Sequence, residues 1–395
     1  MATKTRTRLI AVGACAIDNI LTVPHYPSEN SKLRATSLTK RRGGNAPNTL
    51  EVLQQLIDHE YNGLLDNEHA NNRREAPELY LLAVLPRKGS AATHLMAESF
   101  RCGYNIGEQD ATSAAAKGTP GDNRKLVDLS HCIYRTDHEE PISSYVIASE
   151  SNGSRTIVNH NLLPEMTFDE FVQNVEGLLI PVQGSSSASI NQIWFHFEGR
   201  TPETTLRCMH YLREHHAFKK RDGLDLTLKI STELEKPGRE GLQELAFWAD
   251  VVYYSKAWAQ HEKHATAALC LSSQKNLMQG LAAGSDPKVN KLLVCSWGKN
   301  GADLMKLLSN ESSLHHGPAY VPLDQHVVDT TGAGDTFLAG ILFGCICRGD
   351  GDHRWGSLQM LDFANGLAGR KILQQGFDEL GALTIDLKRQ VDTSP

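Results

Sequence analysis

Short, nearly continuous apolar runs recur along the chain: RLIAVGACA from Arg8, ELYLLAVL from Glu78, QIWFHFEG from Gln192, LTLKIST from Leu226, DVVYYS from Asp250 and KLLVCSWG from Lys291. A strand with one wet face alternates apolar and polar residues, whereas a run that is apolar almost throughout is buried on both faces. Between these runs lie amphipathic stretches of helical period, including NAPNTLEVLQQLI from Asn45 and THLMAESFRCGY from Thr93. The alternation predicts an α/β fold, a mostly parallel sheet between helices, with ligands at the carboxyl ends of its strands. Two stretches break the rhythm, at about 20–41 and 132–160. The second reads ISSYVIASESNGSRTIVNH, with a turn at Ser151-Asn152-Gly153. Strands with no helix between them pair antiparallel, so both stretches are assigned to a small accessory sheet over the main domain, placed to act as a lid.

With 395 residues, 40% of them apolar, the chain can bury a large core, and it reads as a single domain over 1–395. A formal net charge of −6 without a basic block gives no reason to expect nucleic acid as a partner. Runs such as Leu9 to Ile17 fall far below the roughly 18 residues a membrane span needs, so no membrane is expected. That first run imitates a secretory signal, since Lys4, Arg6 and Arg8 precede it. It is read as a buried first strand instead, being short and ending at Asp18. Eight cysteines without disulfide or metal spacing read as reduced core thiols of a cytoplasmic protein. Polar stretches at about 58–77, 111–128 and 181–189 are expected to be surface loop inserts.

The most chemically specific stretch is VVDTTGAGDTFLAGILFG, from Val327. Ala333 to Cys347 is apolar on nearly all sides and predicts a buried helix, with Thr331 as its N-cap and Gly332 to Gly334 in its first turn. Glycine leaves the backbone N–H groups open to a ligand, and the helix dipole favours an anion there, which makes a phosphate site. Asp335 reads either as a residue that compensates the dipole or as a base beside that phosphate. In RRGGNAPNT, from Arg41, the pair Gly43-Gly44 reads as a tight turn ahead of a helix.

With GAGDTF after an aspartate–threonine pair, and RRGGNAPNT near the amino terminus, the chain resembles the ribokinase (phosphofructokinase B) family of sugar and nucleoside kinases. The pieces VGACAIDNI, YPSENSKLR, NGSRTIV, HFEGR, STELEKP, DVVYYSK, LVCSWGKNGAD and QQGFD are similar to its ketohexokinase branch, over nearly the whole length apart from the inserts. Ser255 and Trp258 stand where many other members carry an Asn-x-x-Glu motif, a loss that this branch shares. The resemblance implies a ribokinase-like three-layer α/β/α sandwich with a small antiparallel β lid, ATP and Mg²⁺ as phosphoryl donor, K⁺ as a candidate activator, and a homodimer formed through the lid.

Residue by residue, the resemblance implies that Asp335 is the general base and that Gly332, Ala333 and Gly334 give backbone donors to the transferring phosphoryl group. Asp18, Gly44, Asn45 and Asn48 would hold the sugar. Arg155, on the lid, would neutralise phosphate charge. Glu233, Glu235, Lys236 and Ser255 would lie near the magnesium and nucleotide phosphates, and Gly298 and Gly301 would line the nucleotide cleft. Asn30 stands where the branch has an aspartate that reaches the partner subunit's sugar. An amide there keeps a hydrogen bond but loses its charge assistance. No metal-ligand set emerges from the residues themselves. The expected reaction is phosphorylation of a ketohexose, D-fructose to fructose 1-phosphate. Other acceptors of the same family, or a non-catalytic sugar or nucleotide sensor, are the alternatives.

Overall fold

Each apolar run forms a strand, and ELYLLAVL forms two. A computed structural model describes residues 6–62, 76–100, 127–179, 190, 192–221, 226–282, 290–308, 311–320, 326–349 and 354–393. The strands are β1 (Thr7–Val12), β2 (Ala16–Val23), β3 (Ser37–Gly43), β4 (Glu78–Leu82), β5 (Val84–Leu85), β6 (Ile133–Tyr134), β7 (Ile142–Ser149), β8 (Arg155–His160), β9 (Gln192–Glu198), β10 (Thr227–Leu234), β11 (Val251–Tyr254), β12 (Lys291–Ser296), β13 (Ala302–Leu307) and β14 (Ser312–Gly317). The helices are α1 (Asn45–Asn62), α2 (Ala91–Glu98), α3 (Phe168–Leu179), α4 (Pro202–Arg221), α5 (Leu242–Trp248), α6 (Lys256–His261), α7 (Ala267–Ala282), α8 (Ala333–Cys347), α9 (Ser357–Lys371), α10 (Leu380–Leu383) and α11 (Ile385–Thr393).

The main sheet has the order β14-β13-β12-β11-β10-β9-β1-β4. Its strands run parallel from β4 to β12, and β13 and β14 close the far edge antiparallel. In β1, Leu9 and Ala11 point into a core with Leu81, Trp194 and residues of α1, α8 and α9. Ile10 and Val12 point into a second core with Phe195, Ile230 and residues of α3, α4 and α7. Two cores, one on each face, are the physical reason for runs with no polar alternation. The β13–β14 edge is not foreseen from the sequence, although ADLMKL after the turn GKNG is the signal that would have located it.

The accessory sheet has the order β3-β2-β7-β8. The pairs β2–β3 and β7–β8 are antiparallel, and a parallel β2–β7 pairing joins them. Its strands begin earlier than expected at Ala16 and end later at Gly43, and the 132–160 stretch joins the sheet only from Ile142, because Ile133–Tyr134 pairs with β5. The inserts expected at 58–77, 111–128 and 181–189 lie mostly outside the described residues, but α1 continues to Asn62 and so takes up the start of the first. Among the described residues no helix is long and apolar enough to cross a membrane.

The all-apolar face of α8 is covered by α9, and the contact is close because Gly340 meets Ala364. A Cβ added at Gly340 would lie 2.8 Å from the Ala364 Cα. Gly340→Val is therefore expected to cost about 1–3 kcal/mol by overpacking, read as a lower urea midpoint at unchanged slope.

Candidate active site

Parallel strands deliver their carboxyl ends to one edge, and the side chains found there are polar: Glu198 closes β9, Glu233 and Glu235 close and follow β10, and Ser255 follows β11. Two helices start at the same edge, each behind a glycine with a conformation that other residues resist. Gly44, before α1, has φ +106° and an added Cβ would fall 2.1 Å from the Ala14 carbonyl oxygen. Gly332, before α8, has φ +76° and an added Cβ would fall 2.3 Å from the Phe377 ring.

Gly332, not Thr331, is the N-cap of α8. The left-handed backbone at Gly332 turns Thr331 away, and its N–H donates to Asp329 Oδ1 at 2.8 Å. The first helical bond is from Thr336 N–H to Gly332 O at 2.9 Å. The amino end of a fifteen-residue helix, with a Gly-Ala-Gly start, thus carries no side-chain cap; such an end offers backbone donors and a positive dipole to an anion.

Asp335 sits in the first turn of α8. Its Oδ2 accepts from Asn48 Nδ2 at 2.7 Å, and its backbone oxygen accepts from Thr49 Oγ1 at 3.3 Å, both from α1. Burial pushes its carboxyl well above the usual aspartate range, and the neighbouring Glu233 charge adds to this; the Asn48 donor opposes it. Across the cleft, Asn45 Nδ2 donates to Glu233 Oε2 at 3.2 Å and to Glu235 Oε2 at 2.8 Å. Glu233 is fully buried and raised by that burial and by Glu198. His196, 3.0 Å behind it through Nε2, is held down to about 4 by burial and is therefore a neutral imidazole at neutral pH. Glu198 Oε2 accepts from the Ala14 N–H at 2.9 Å. Among the described residues no three His, Cys, Asp or Glu side chains are grouped to cage a metal.

The lid is tied to the main domain through Asp329. Its carboxylate meets Arg41 of β3 at 3.1 Å, Arg155 of β8 at 3.3 Å and the fully buried Lys371 of α9 at 3.2 Å. Lys371 also donates to the Asp329 and Gln374 carbonyl oxygens at 3.1 and 3.3 Å. Burial acts against ionisation of Asp329, but Lys371 and Arg41 outweigh it and hold the carboxyl well below its ordinary range. Arg155 also bonds the Thr330 and Thr331 hydroxyls, so the lid rests on the turn before α8. Between the lid's inner face and the main domain lies a cavity of about 510 Å³, lined by Asp18, Ile20, Arg41, Val146, Arg155 and Asp329 among others. Asp335 and Asn45 line no part of it and belong to the adjoining cleft between α1, β10 and α8.

The structure thus gathers Asp335, Gly332, Ala333, Gly334, Gly44, Asn45, Asn48, Glu233 and Glu235, with Asp18 and Arg155 on the lid. Others stand apart. Ser255 caps α6, accepting from Trp258 N–H at 3.0 Å and donating to Glu235 O at 2.6 Å. Lys236 is exposed. Gly298 and Gly301 shape the turn after β12, with φ of +61° and +82°, and Gly301 packs on the Gly317 carbonyl. Asn30 sits exposed in the β2–β3 loop at φ +61°, a conformation asparagine tolerates. The residues that sequence reasoning left without a role are Asp329, Lys371, Arg41, Arg42 and His196. Asp329, Arg41, Arg42 and His196 lie inside quoted motifs, but for Lys371 nothing local in the sequence marks the pairing.

The model of the pfkB family carbohydrate kinases matches residues 125–379. The chain belongs to that family. Over 373 residues, 94% of this chain and 98% of the relative, it is 28% identical to a ketohexokinase of Mus musculus. Among solved structures it is similar to the Arabidopsis thaliana ribokinase complexed with ribose and ATP, with TM-score 0.61 and 15% identity, covering 99% of this chain and 100% of that one. It is also similar to a Methanocaldococcus jannaschii nucleoside kinase, with TM-score 0.56 and 13% identity, covering 98% and 100%. The fold is ribokinase-like, and the protein is a sugar kinase of the pfkB family.

Lys371→Met would leave Asp329 with less compensation and is expected to cost about 3 kcal/mol in urea denaturation. The stability that Asp329 contributes is present above about pH 4 and is lost as pH falls through its depressed folded value. The substitution raises that value toward the unfolded one, so the stability lost on acidification should be smaller and its loss should end at higher pH.

Proposed function

We propose that this sugar kinase transfers the γ-phosphate of ATP to the 1-hydroxyl of a ketohexose, D-fructose above others. The observation that carries the reading is a part-buried carboxylate, Asp335, held by Asn48 in the first turn of a helix whose Gly332-Ala333-Gly334 start carries no side-chain cap. In this reading Asp335 takes the proton of the sugar hydroxyl as that oxygen bonds the γ-phosphorus. The bond from phosphorus to the β–γ bridging oxygen breaks and releases ADP, while the amino end of α8 receives the charge that builds on the phosphoryl oxygens. Asp18, Gly44 and Asn45 surround the sugar. Arg155 exchanges the Thr330 and Thr331 hydroxyls for phosphate when nucleotide is present, and Gly298 and Gly301 border the nucleotide.

Support for the sugar comes from the similarity to mouse ketohexokinase over 94% of the chain, and support for the nucleotide from a similar fold crystallised as a ribokinase with ribose and ATP. Magnesium fits the acidic cleft as an ion carried by phosphates and water rather than caged by protein: Glu235, part-exposed beside the buried Glu233 and Glu198, is the residue that would face it. When bound, the ion would neutralise charge on the phosphates being transferred. Potassium activation belongs to the same reading.

We infer further that two copies pair through their lids. Lys40, Asn19, Tyr145 and Val158 are cross-strand partners and so share one face, as do Leu38, Leu21, Ile147 and Thr156 two residues along. Leu38, Tyr145 and Val158 on that outer face are 67%, 47% and 59% exposed. A second acceptor reading is favoured by Asn30, which puts an amide where the ketohexokinase branch has an aspartate, so another sugar is the alternative.

ADP release measured with Mg-ATP and K⁺ across fructose, ribose, other ketoses and adenosine tests the assignment. Fructose should turn over fastest, and Asp335→Asn should lower turnover by about 10² or more with ATP still bound. Preference for another sugar would replace the substrate, and ATP binding without turnover on any acceptor would replace the kinase reading with a sensor. Tyr145→Glu combined with Val158→Glu should give monomers by light scattering; a dimer unaffected by both would move the interface elsewhere.

A further inference from the structure

The carboxamide of Asn48 has its oxygen and its nitrogen engaged by different residues. Its Oδ1 accepts from Arg42 Nη1 at 2.9 Å, and its Nδ2 donates to Asp335 Oδ2 at 2.7 Å. Arg42, in β3, is itself immobilised on every side. Its Nε donates to Ser99 Oγ at 2.9 Å, its second terminal nitrogen pairs with Glu51, its guanidinium lies over the Phe100 ring at 4.8 Å, and the residue is 3% exposed. A guanidinium has only donors, so the Asn48 atom that meets it is the oxygen. The nitrogen must then face Asp335.

Two consequences follow for the carboxylate. Oδ2 already accepts an N–H and is the less basic for it, so Oδ1 is the oxygen better placed to take a proton. A flipped amide would set its oxygen against Oδ2 at 2.7 Å, a contact that only a protonated carboxyl relieves, and a protonated carboxyl is no base. This orientation matters because the rest of the surroundings favour the proton. Glu233 of β10, Glu235 just after that strand and Glu198 of β9 all act on Asp335 in the sense that favours its proton, Tyr253 of β11 lies beside it as a neutral phenol, and burial, the largest cause, acts in the same sense.

We propose that Asn48 and Arg42 are positioning residues: Arg42 fixes the orientation of the Asn48 amide, and Asn48 thereby sets both the charge state of Asp335 and which of its oxygens receives the sugar proton. The proposal rests on the assignment of Asp335 as base.

The test uses Asn48→Leu, which keeps the bulk and removes the donor. Turnover on the best acceptor should fall tenfold or more, by a larger factor than KM for that sugar rises. Activity needs an ionised Asp335 and is lost as pH falls through its pKa. Removing the donor raises that pKa, so the acid limb of kcat/KM against pH should move up by about one unit. Because Arg42 also neutralises Glu51, its variants are made in a Glu51→Gln background. There, Arg42→Gln should lower turnover and shift the acid limb in the same direction, and Arg42→Lys should recover part of both. A tenfold rise in sugar KM for Asn48→Leu, with turnover and the acid limb unmoved, would make Asn48 a sugar contact and overturn the proposal. Lower melting temperatures without a kinetic change would reduce both residues to structural roles and overturn it equally. Asp335→Asn, measured in parallel, separates the levels. If it keeps full turnover, the base assignment fails and the proposal with it; if it is inactive while Asn48→Leu behaves as wild type, the proposal alone fails.

Discussion

Removing a carboxylate from water is costly unless donors replace the water, and the cleft at the strand ends is arranged around that constraint. Glu198 receives the Ala14 N–H, Glu233 and Glu235 share the two hydrogens of the Asn45 amide, and Asp335 receives the Asn48 amide. Two asparagines three residues apart on the first turn of α1 therefore solvate three carboxylates held on two other elements. Their placement depends in turn on the backbone: Gly44 at φ +106° lets α1 begin directly against Ala14, and parallel pairing of β9 with β10 sets Glu198 opposite Glu233. A carboxylate kept ready to accept a proton is the outcome of sheet register, one glycine and two amides together.

Asp329 solves the same problem by a different route. Its counter-charges come from three distant places in the chain, Arg41, Arg155 and Lys371, and two of them belong to the lid. The residue that fixes the turn before α8 is thus also the one the lid closes upon. Lid position and turn geometry share a single electrostatic anchor.

What the sequence made legible follows the range of the forces involved. Six strands could be located because burial on both faces is written into consecutive residues, and α8 could be placed to its ends because the composition changes sharply at Gly332 and Cys347. The GAGDTF and RRGGNAPNT stretches led to Asp335 and to the start of α1. The cap of α8 was misplaced at Thr331 because a left-handed glycine is not distinguishable, from sequence, from a glycine inside the first turn. Asp329 with Lys371, 42 residues on, and Arg155 with Asp329, 174 residues on, are pairings that no local pattern encodes. The role of Arg42 was equally hidden: Arg41 and Arg42 are consecutive bases in β3, yet strand alternation sends Arg41 to Asp329 and Arg42 to Glu51 and Asn48.

That alternation has a consequence for how the lid can change over evolutionary time. Its inner face carries Asp18, Ile20, Arg41 and Val146, and its outer face carries Leu21, Leu38, Tyr145 and Val158. Because the side-chain period is two, the insertion or loss of a single residue within β2 or β7 would exchange the faces, turning Asp18 or Val146 outward and Leu21 or Tyr145 toward the cavity. Substitutions can tune either surface independently, but length changes within these strands cannot. Variation in length is confined to the loops between them, where the segment holding Asn30 already lies.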